Sequence, residues 1–202
     1  MAADKRDFLF RFVPQTIRRQ VLMDEEAMYS TTDQVTARKL CDEISKFVPQ
    51  TSTVVDATAC IGGLTYSLTH VFRRVVAIEI DYTRYEYLNR NMELLGVKSI
   101  VNCVYGDAMQ VCIGLDAAAI ILDPPWGGPE YKNIPNLSLK LGHFDLVDAC
   151  TLLFENNPVV NIIAIKVPTN FDDTSLTCSM FSIVRKSRLR KMDIIIVQRN
   201  VV

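Results

Sequence analysis

The segment that most clearly suggests chemistry runs from Asp123 to Tyr131 and reads D-P-P-W-G-G-P-E-Y. Pro124 and Pro125 cannot continue a strand ladder, so they hold the backbone in a stiff extended turn. This turn offers the Asp123 carboxylate and the Pro124 carbonyl as acceptors, beside the aromatic face of Trp126. Because a nucleobase amino group becomes nucleophilic only when acceptors take its hydrogen bonds, the segment predicts amine methylation. The alternative role for Trp126 is to plug the end of a sheet.

A second set of polar residues follows apolar strand-like runs. Asp56 precedes a turn with Gly62 and Gly63, and two further acids, Glu79 and Asp107, follow later runs. An acid in the position of Glu79 can accept hydrogen bonds from both hydroxyls of a ribose, and Asp107 can accept a hydrogen bond from an adenine amino group. The glycine spacing is not G-x-G-x-x-G, and the chain has no Walker-type lysine loop, so nicotinamide cofactors and ATP fit less well. Together these residues predict an adenosine ligand, although each alone could be a solvated carboxylate.

The elements that must position these residues alternate along the chain from about residue 33 onward. Strands joined by helices become parallel neighbours in a doubly wound α/β sheet, which binds ligands beyond the carboxyl ends of its strands. A short loop joins the last two strands, which predicts an antiparallel hairpin. The predicted strands are 53–56, 74–79, 100–105, 117–122, 161–167, 181–184 and 192–198, and the predicted helices are 35–48, 64–71, 83–95 and 141–156.

Composition excludes several classes of protein. The 202 residues are 49% hydrophobic and 22% charged, which suits one globular domain, 33–202, preceded by a short helical arm, 1–32. No apolar run could span a bilayer, and the charged N-terminus lacks a signal-peptide pattern, so we expect an intracellular protein of the nucleus or cytoplasm (a host cytoplasm for a viral protein). A formal charge of −1 provides no global basic field, so an RNA substrate would have to be held locally.

Cysteine and histidine spacing predicts no metal site. None of the six cysteines forms a C-x-x-C pair, which favours free, mostly buried thiols in a reducing compartment over zinc ligands or disulfides. The two histidines, His70 and His143, are isolated and read as ordinary helix or loop residues. We therefore expect no metal and no membrane partner, and we favour a monomer.

Several motifs together resemble the trimethylguanosine synthase family, the cap-specific guanine-N2 methyltransferases. D-P-P-W-G-G-P-E-Y is similar to that family's S-P-P-W-G-G-P-D-Y, and the W-G-G-P extension is more specific than P-P-W alone. The resemblance covers nearly the whole chain. The other matching segments are V-V-D-A-T-A-C-I-G-G at 54–63, A-I-E-I-D at 77–81, Y-S-T-T at 29–32, L-F-R-F at 9–12 and K-V-P-T-N at 166–170.

The resemblance implies a Rossmann-like class I methyltransferase that uses S-adenosyl-L-methionine and acts on 7-methylguanosine-capped RNA. The product would be the 2,7-dimethylguanosine cap or, after a second transfer, the 2,2,7-trimethylguanosine cap. The implied catalytic residues are Asp123, Pro124 and Trp126. The implied donor-binding residues are Thr32, Asp56, Thr58, Gly62, Glu79, Asp107 and Pro124, and the implied substrate-binding residues are Trp126, Tyr131, Lys166 and Asn170.

The sequence departs from the family pattern at two positions. Asp123 stands where close relatives have serine, and a carboxylate there could accept from the guanine amino group or attract the cationic base. Thr169 stands where a phosphate-contacting arginine is expected. Either Lys166 or the basic run R-K-S-R-L-R-K at 185–191, which is otherwise an ordinary solvated loop, would compensate.

Two other functions remain open at this point. A ribosomal or transfer RNA methyltransferase acting on guanine N2 or on an adenine amino group also uses D-P-P-W or D-P-P-Y. A catalytically silent methyltransferase fold could serve as an RNA-binding subunit, although the intact set of Asp56, Glu79, Asp107 and Asp123 argues against that reading.

Overall fold

The computed structural model describes residues 4–200. The chain divides into two compact units, Met1–Ala108 and Met109–Val202. The first unit contains, in chain order, α1 (Lys5–Leu9), α2 (Gln15–Arg18), α3 (Ala27–Ser30), α4 (Gln34–Ile44), β1 (Thr53–Asp56), α5 (Gly63–Leu68), β2 (Arg74–Glu79), α6 (Tyr82–Leu94), a 3-10 turn (Lys98–Ile100) and β3 (Val101–Tyr105).

The second unit begins within a short helix and continues with strands and a single longer helix. Two 3-10 turns, Pro129–Asn133 and Asp173–Ser175, lie between the elements of this unit. Its elements are α7 (Ala108–Val111), β4 (Ala119–Leu122), β5 (Lys140–Leu141), β6 (Phe144–Asp145), α8 (Leu146–Asn156), β7 (Ile162–Pro168), β8 (Phe181–Arg188) and β9 (Met192–Arg199).

The main sheet has seven strands in the order β3-β2-β1-β4-β7-β9-β8. In the first unit β1, β2 and β3 are parallel, and in the second β4 and β7 are parallel. Strand β9 runs antiparallel to both β7 and β8. This topology confirms the predicted fold class, a mostly parallel, Rossmann-like α/β sheet with an antiparallel C-terminal hairpin.

Local sequence explains where the best-predicted elements begin and end. The strands Thr53–Asp56 and Arg74–Glu79 are confirmed to the residue. Ala119–Leu122 is buried at every position, as expected for an interior strand covered on both faces. Helix α4 begins after Asp33, whose carboxylate accepts hydrogen bonds from the first backbone N–H groups of the helix.

The N-terminal residues pack onto the loop that follows β1. Short helices α1 to α3 contribute to a buried apolar cluster, which therefore joins the arm to the rest of the first unit. Its members are Leu9, Phe10, Val13, Val21, Ala27, Cys60 and Ile61. The division into an arm at 1–32 and a domain at 33–202 stays a prediction.

The helix predicted over 141–156 is too long at its start. Residues 140–145 form a two-stranded hairpin, in which Lys140 pairs with Asp145, and α8 starts only at Leu146. Gly142 adopts a φ of 60° at the turn of this hairpin, a conformation that interrupts a helix. The apolar residues before Leu146 have helical spacing, but they belong to the hairpin and not to the helix.

The basic run at 185–191 is not simply the loop that its charge suggests. Strand β8 extends to Arg188 and pairs with β9 after an irregularity between Ile183 and Arg185. β8 is the last strand of the sheet, and its residues after Phe181 are largely exposed. Charged side chains are typical of such edge strands, because they discourage further strand pairing.

Candidate active site

Asp56 ends β1 and is 1% exposed. Its carboxylate accepts a hydrogen bond of 2.7 Å from the Thr65 hydroxyl of α5. This bond fixes the carboxylate at the carboxyl end of the strand. A buried carboxylate must be hydrogen-bonded to offset its loss of hydration, and Thr65 supplies part of that compensation.

The two glycines after β1 allow close packing of neighbouring segments. Gly62 has a φ of 97°, and a Cβ there would lie 2.3 Å from the Met92 Cε. At Gly63 a Cβ would lie 2.5 Å from both the Thr31 Cγ2 and the Thr32 carbonyl oxygen. The buried Thr32 backbone is therefore packed directly against Gly63 at the start of α5.

Glu79 ends β2 and is held by the backbone of two loops. One carboxylate oxygen accepts from the Cys60 N–H at 2.8 Å, and the other accepts from the Asp81 N–H at 2.9 Å. The Arg84 Nε lies 3.7 Å from the second oxygen. Each carboxylate oxygen can accept more than one hydrogen bond, so Glu79 retains capacity for a ligand hydroxyl.

Asp107 and Thr58 complete the set of predicted donor residues in the first unit. Both are half-buried. Asp107 follows Gly106, whose N–H donates to the Glu79 carbonyl at 3.0 Å. The strand registers place Asp56, Glu79 and the residues after Tyr105 at neighbouring carboxyl ends of β1, β2 and β3. The first unit therefore brings three of the predicted donor-binding residues, Asp56, Glu79 and Asp107, to one edge of the sheet.

The Cys60 thiol, in the loop after β1, is not a reactive group. Burial raises the pKa of Cys60 to about 12, so the group remains a neutral thiol at physiological pH. Its sulfur lies 3.5 Å from the Thr31 hydroxyl oxygen. Cys60 thus contributes packing and the N–H that holds Glu79, and it does not offer a thiolate nucleophile.

In the second unit, Asp123 forms an ion pair with Lys166. The register of β4 against β7 pairs Leu122 with Ile165, so the next residues of the two strands are neighbours. Lys166 is 6% exposed, and Asp123 is also largely shielded from water. A paired charge in such surroundings is screened much less by salt than a surface pair.

Trp126 lies between a cation and a second aromatic ring. The Lys166 Nζ is 5.4 Å from the centre of the Trp126 ring, within the range of a cation–π contact. The Tyr131 ring packs edge-on against Trp126, with 5.1 Å between ring centroids. The Trp126 Nε1 is buried and has no hydrogen-bond partner in the described part of the chain. A buried, unpartnered donor costs about 1–3 kcal/mol, so this indole favours the arrival of an acceptor.

Asn170 holds the turn that carries Tyr131. Its Nδ2 donates to the Tyr131 carbonyl at 2.8 Å and to the Ile134 carbonyl at 2.6 Å. The Leu137 N–H donates in turn to the Asn170 carbonyl at 2.8 Å. These bonds tie the segment after β4 to the segment after β7, and they give Asn170 a visible positioning role in addition to the predicted substrate contact.

Three of the cations expected to replace the missing arginine are already paired with carboxylates. Thr169 is exposed, and Lys166 is bound to Asp123. In the basic run, Lys186 pairs with Asp173, and Arg188 pairs with Asp193. A phosphate would therefore have to compete with these carboxylates for the cations.

Sequence reasoning missed a structural residue near the donor site, Asn91 of α6. Asn91 is fully buried, and its amide donates to the Leu22 and Ile61 carbonyls at 2.9 and 3.1 Å. Its Oδ1 accepts from the Leu22 N–H at 2.8 Å. Asn91 thus connects the arm to the loop after β1. A polar residue between the apolar Leu88 and Met92 positions was the signal that could have revealed it.

Residues 4–200 contain neither a metal-binding cluster nor a membrane-spanning helix. Within that range, no group of three or more histidine, cysteine or acidic side chains is arranged to hold a metal ion. No helix in the same range is long and apolar enough to cross a membrane. None of the six cysteines, all within residues 4–200, forms a disulfide, and four of them are buried.

Comparison with solved structures identifies the class of fold. An RNA methyltransferase from Salinibacter ruber, solved with S-adenosyl-L-homocysteine, is similar with a TM-score of 0.57 and 15% sequence identity. The alignment covers 81% of this chain and 93% of that chain. The architecture is therefore that of the Rossmann-like methyltransferases.

Sequence comparison identifies the family. Residues 51–201 match the RNA cap guanine-N2 methyltransferase family model, and the chain belongs to that family. An uncharacterized protein of Acanthamoeba polyphaga mimivirus is 32% identical over 150 residues, which is 72% of this chain and 58% of that protein. Trimethylguanosine synthase of Schizosaccharomyces pombe is 28% identical over 126 residues, covering 59% of this chain and 52% of that enzyme. The chain thus spans between half and three-fifths of these relatives.

Proposed function

We propose that this chain transfers a methyl group from S-adenosyl-L-methionine to the exocyclic 2-amino group of the 7-methylguanosine cap of RNA. The observation that carries the proposal is the turn after β4, which presents the Asp123 carboxylate, the Pro124 carbonyl and the Trp126 ring within four residues. Membership of the cap guanine-N2 family supports the choice of base and of atom.

The first unit contains residues that fit the methyl donor. Glu79 is oriented by two backbone N–H groups and can accept the ribose hydroxyls, while Asp107 can accept from the adenine amino group. Thr32, Asp56, Thr58 and Gly62 would line the rest of the donor site. When bound, S-adenosylmethionine supplies an electrophilic methyl group.

The second unit would hold the acceptor base and prepare its amine. Trp126 stacks on the purine, and the Tyr131 ring fixes the orientation of the indole. Asp123 and the Pro124 carbonyl accept the two amine hydrogens, which directs the nitrogen lone pair away from the ring system. The methyl group would leave the donor sulfur as its bond to the amine nitrogen forms. The Asp123 carboxylate would stabilise the positive charge that develops on the nitrogen and would then accept the proton that the amine loses.

Lys166 changes what Asp123 can contribute. The ammonium offsets part of the carboxylate charge, so Asp123 contributes the direction of its lone pairs together with the negative charge that remains. The same ammonium lies at the Trp126 ring, where a cationic 7-methylguanine would have to replace or tolerate it. Asn170 acts through Tyr131 and is therefore a positioning residue.

The position of Lys166 also favours a second candidate, methylation of an uncharged guanine or adenine amino group in uncapped ribosomal or transfer RNA. A neutral base is not repelled by an ammonium near the stacking face. An aspartate in place of the family's serine at position 123 is also the residue that resembles the wider amino-methyltransferase pattern.

A substrate panel with labelled methyl donor separates the two candidates. The acceptors are a 7-methylguanosine cap dinucleotide, the matching unmethylated cap dinucleotide and an uncapped RNA of similar guanine content. The cap proposal predicts a higher rate of methyl transfer to the 7-methylated dinucleotide than to the other two acceptors, because the cationic base stacks more strongly on tryptophan. Equal rates on the two dinucleotides, or transfer to uncapped RNA alone, would contradict it. A reaction without protein provides the blank, and Trp126→Ala provides a variant with weakened cap binding.

A further inference from the structure

We infer that an exposed aromatic and basic surface of the first unit binds a single-stranded part of the RNA substrate beyond the methylated nucleotide. We call it the arm surface, and its residues are Lys5, Phe8, Arg11, Phe12, Tyr29 and Arg38. The inference deepens the proposed function, on which it rests for the identity of RNA as substrate. None of these residues is among the donor-binding or acceptor residues discussed above.

The first observation is that large aromatic rings of the arm face solvent. Phe8, Phe12 and Tyr29 are 48%, 47% and 76% exposed. The same arm buries Leu9 and Phe10 almost completely, so its apolar residues are divided between a core face and an outer face. Exposed rings that the fold does not need for its core are available to a ligand.

The second observation is that a basic side chain lies within cation–π distance of each exposed ring. The Lys5 Nζ lies 5.2 Å from the centre of the Tyr29 ring and 5.9 Å from that of Phe8. The Arg11 guanidinium carbon lies 5.5 Å from the Phe8 ring centre. The Arg38 guanidinium carbon lies only 3.6 Å from the Phe12 ring centre.

The third observation is how the charges of the arm are distributed. Arg18 and Arg19 form ion pairs with Asp7, and Arg19 also pairs with Asp4. By contrast, within residues 4–200 no ion pair to a carboxylate is seen for Lys5, Arg11 or Arg38. The cations at the rings therefore keep their positive charge for a partner, on a chain whose net charge is −1.

A single-stranded nucleic acid fits this chemistry. Its phosphates are attracted to the cations, and its bases stack on aromatic and guanidinium faces. An open pocket of about 180 Å³ adjoins the Phe12–Arg38 pair, and its other lining residues include Gln34, Asp42, Ser67 and His70. The Gln34 side chain is fixed there, because its Oε1 accepts from the Phe12 N–H at 2.7 Å. The pocket offers polar groups to part of one nucleotide, beside the exposed rings and cations.

The test measures binding of a labelled, uncapped single-stranded RNA of about 12 nucleotides by fluorescence anisotropy, without methyl donor. The variants are Arg38→Gln and the double variant Phe8→Leu with Phe12→Leu, which keeps apolar side chains but removes the rings. The matched control is Arg73→Gln, an exposed cation of the same unit outside the arm surface. Thermal unfolding of each variant verifies that the fold is retained.

The inference predicts that both variants weaken RNA binding about tenfold, the scale of one lost base stack, while the control changes it less than twofold. In methylation assays the KM of a capped oligonucleotide should rise, whereas the KM of a cap dinucleotide should not change. RNA affinities equal to wild type in both variants would overturn the inference. Because binding is measured without methyl transfer, failure of the proposed activity leaves this result interpretable.

Discussion

Two carboxylates stand at strand ends in the two units, and they are held in different ways. Glu79 is oriented by the N–H groups of Cys60 and Asp81, which belong to the adjacent loops. Asp123 is paired with the side chain of Lys166, which is 43 residues away in the chain. Backbone N–H groups are present whatever the side chains are, whereas the partner of Asp123 exists only because residue 166 is a lysine.

This difference indicates where the two sites gain their specificity. A donor site built on the backbone follows from the α/β topology and suits a ligand common to many methyltransferases. An acceptor site built on side chains depends on each residue, so it can distinguish bases and their charges. Substitutions in the acceptor site should therefore alter turnover and substrate choice, whereas substitutions in the donor site should alter donor affinity.

The largest effect is expected for Asp123→Asn. The amide keeps the shape and one acceptor but loses the charge and leaves Lys166 without its carboxylate. We expect turnover to fall by about two orders of magnitude, as for removal of a preorganised electrostatic contact. Single-turnover kinetics with both substrates saturating measure the effect, with the exposed Asp116→Asn as control. A variant running at the wild-type rate would mean that the Pro124 carbonyl and substrate positioning suffice.

Glu79→Ala should weaken donor binding about thirtyfold, which corresponds to the roughly 2 kcal/mol of a charge-assisted pair of hydrogen bonds. The substitution also leaves the Cys60 and Asp81 N–H groups without their acceptor, so the melting temperature should fall. Calorimetric titration with S-adenosylmethionine and a thermal melt separate the two effects. Glu79→Gln, which keeps an acceptor for the loops, should restore part of the stability but little of the affinity. Unchanged donor affinity in both variants would show that the ribose is bound elsewhere.

Trp126→Ala should remove most of the affinity for the cap, about tenfold for the loss of a desolvated cation–π contact. Donor binding should remain at the wild-type value, because the donor residues of the first unit are untouched. Equilibrium titrations with cap dinucleotide and with donor, performed separately, make the comparison. A similar loss of both affinities would indicate that Trp126 supports the fold instead of the base.

The smallest effect is expected for Asn170→Ala, which removes two hydrogen bonds from the turn carrying Tyr131. Net contributions of about 1 kcal/mol for such bonds predict a rise in KM for the RNA substrate of about fivefold with little change in kcat. Asn156→Ala, an exposed amide at the end of α8, provides the matched control. A fall in kcat with unchanged KM would place Asn170 at the reacting atoms.

The sequence was sufficient to predict that Asp56 and Glu79 stand at neighbouring strand ends, but it did not predict the pairing of Asp123 with Lys166. Strand-end acids such as Asp56 and Glu79 follow apolar runs of the right length, so their grouping results from topology alone. The pairing of Lys166 with Asp123 requires the register between β4 and β7, which no local pattern contains. The extension of β8 through Arg188 was missed because an edge strand is stabilised by backbone bonds and tolerates charged side chains.

The most direct test is the position of the transferred methyl group. A 7-methylguanosine-capped RNA is incubated with the protein and isotopically labelled S-adenosylmethionine, then digested to nucleosides and analysed by mass spectrometry against synthetic standards. The account predicts that the label is recovered on the exocyclic nitrogen of the cap nucleoside, as 2,7-dimethylguanosine or 2,2,7-trimethylguanosine. Label on an internal guanosine or adenosine, with an unchanged cap, would contradict it.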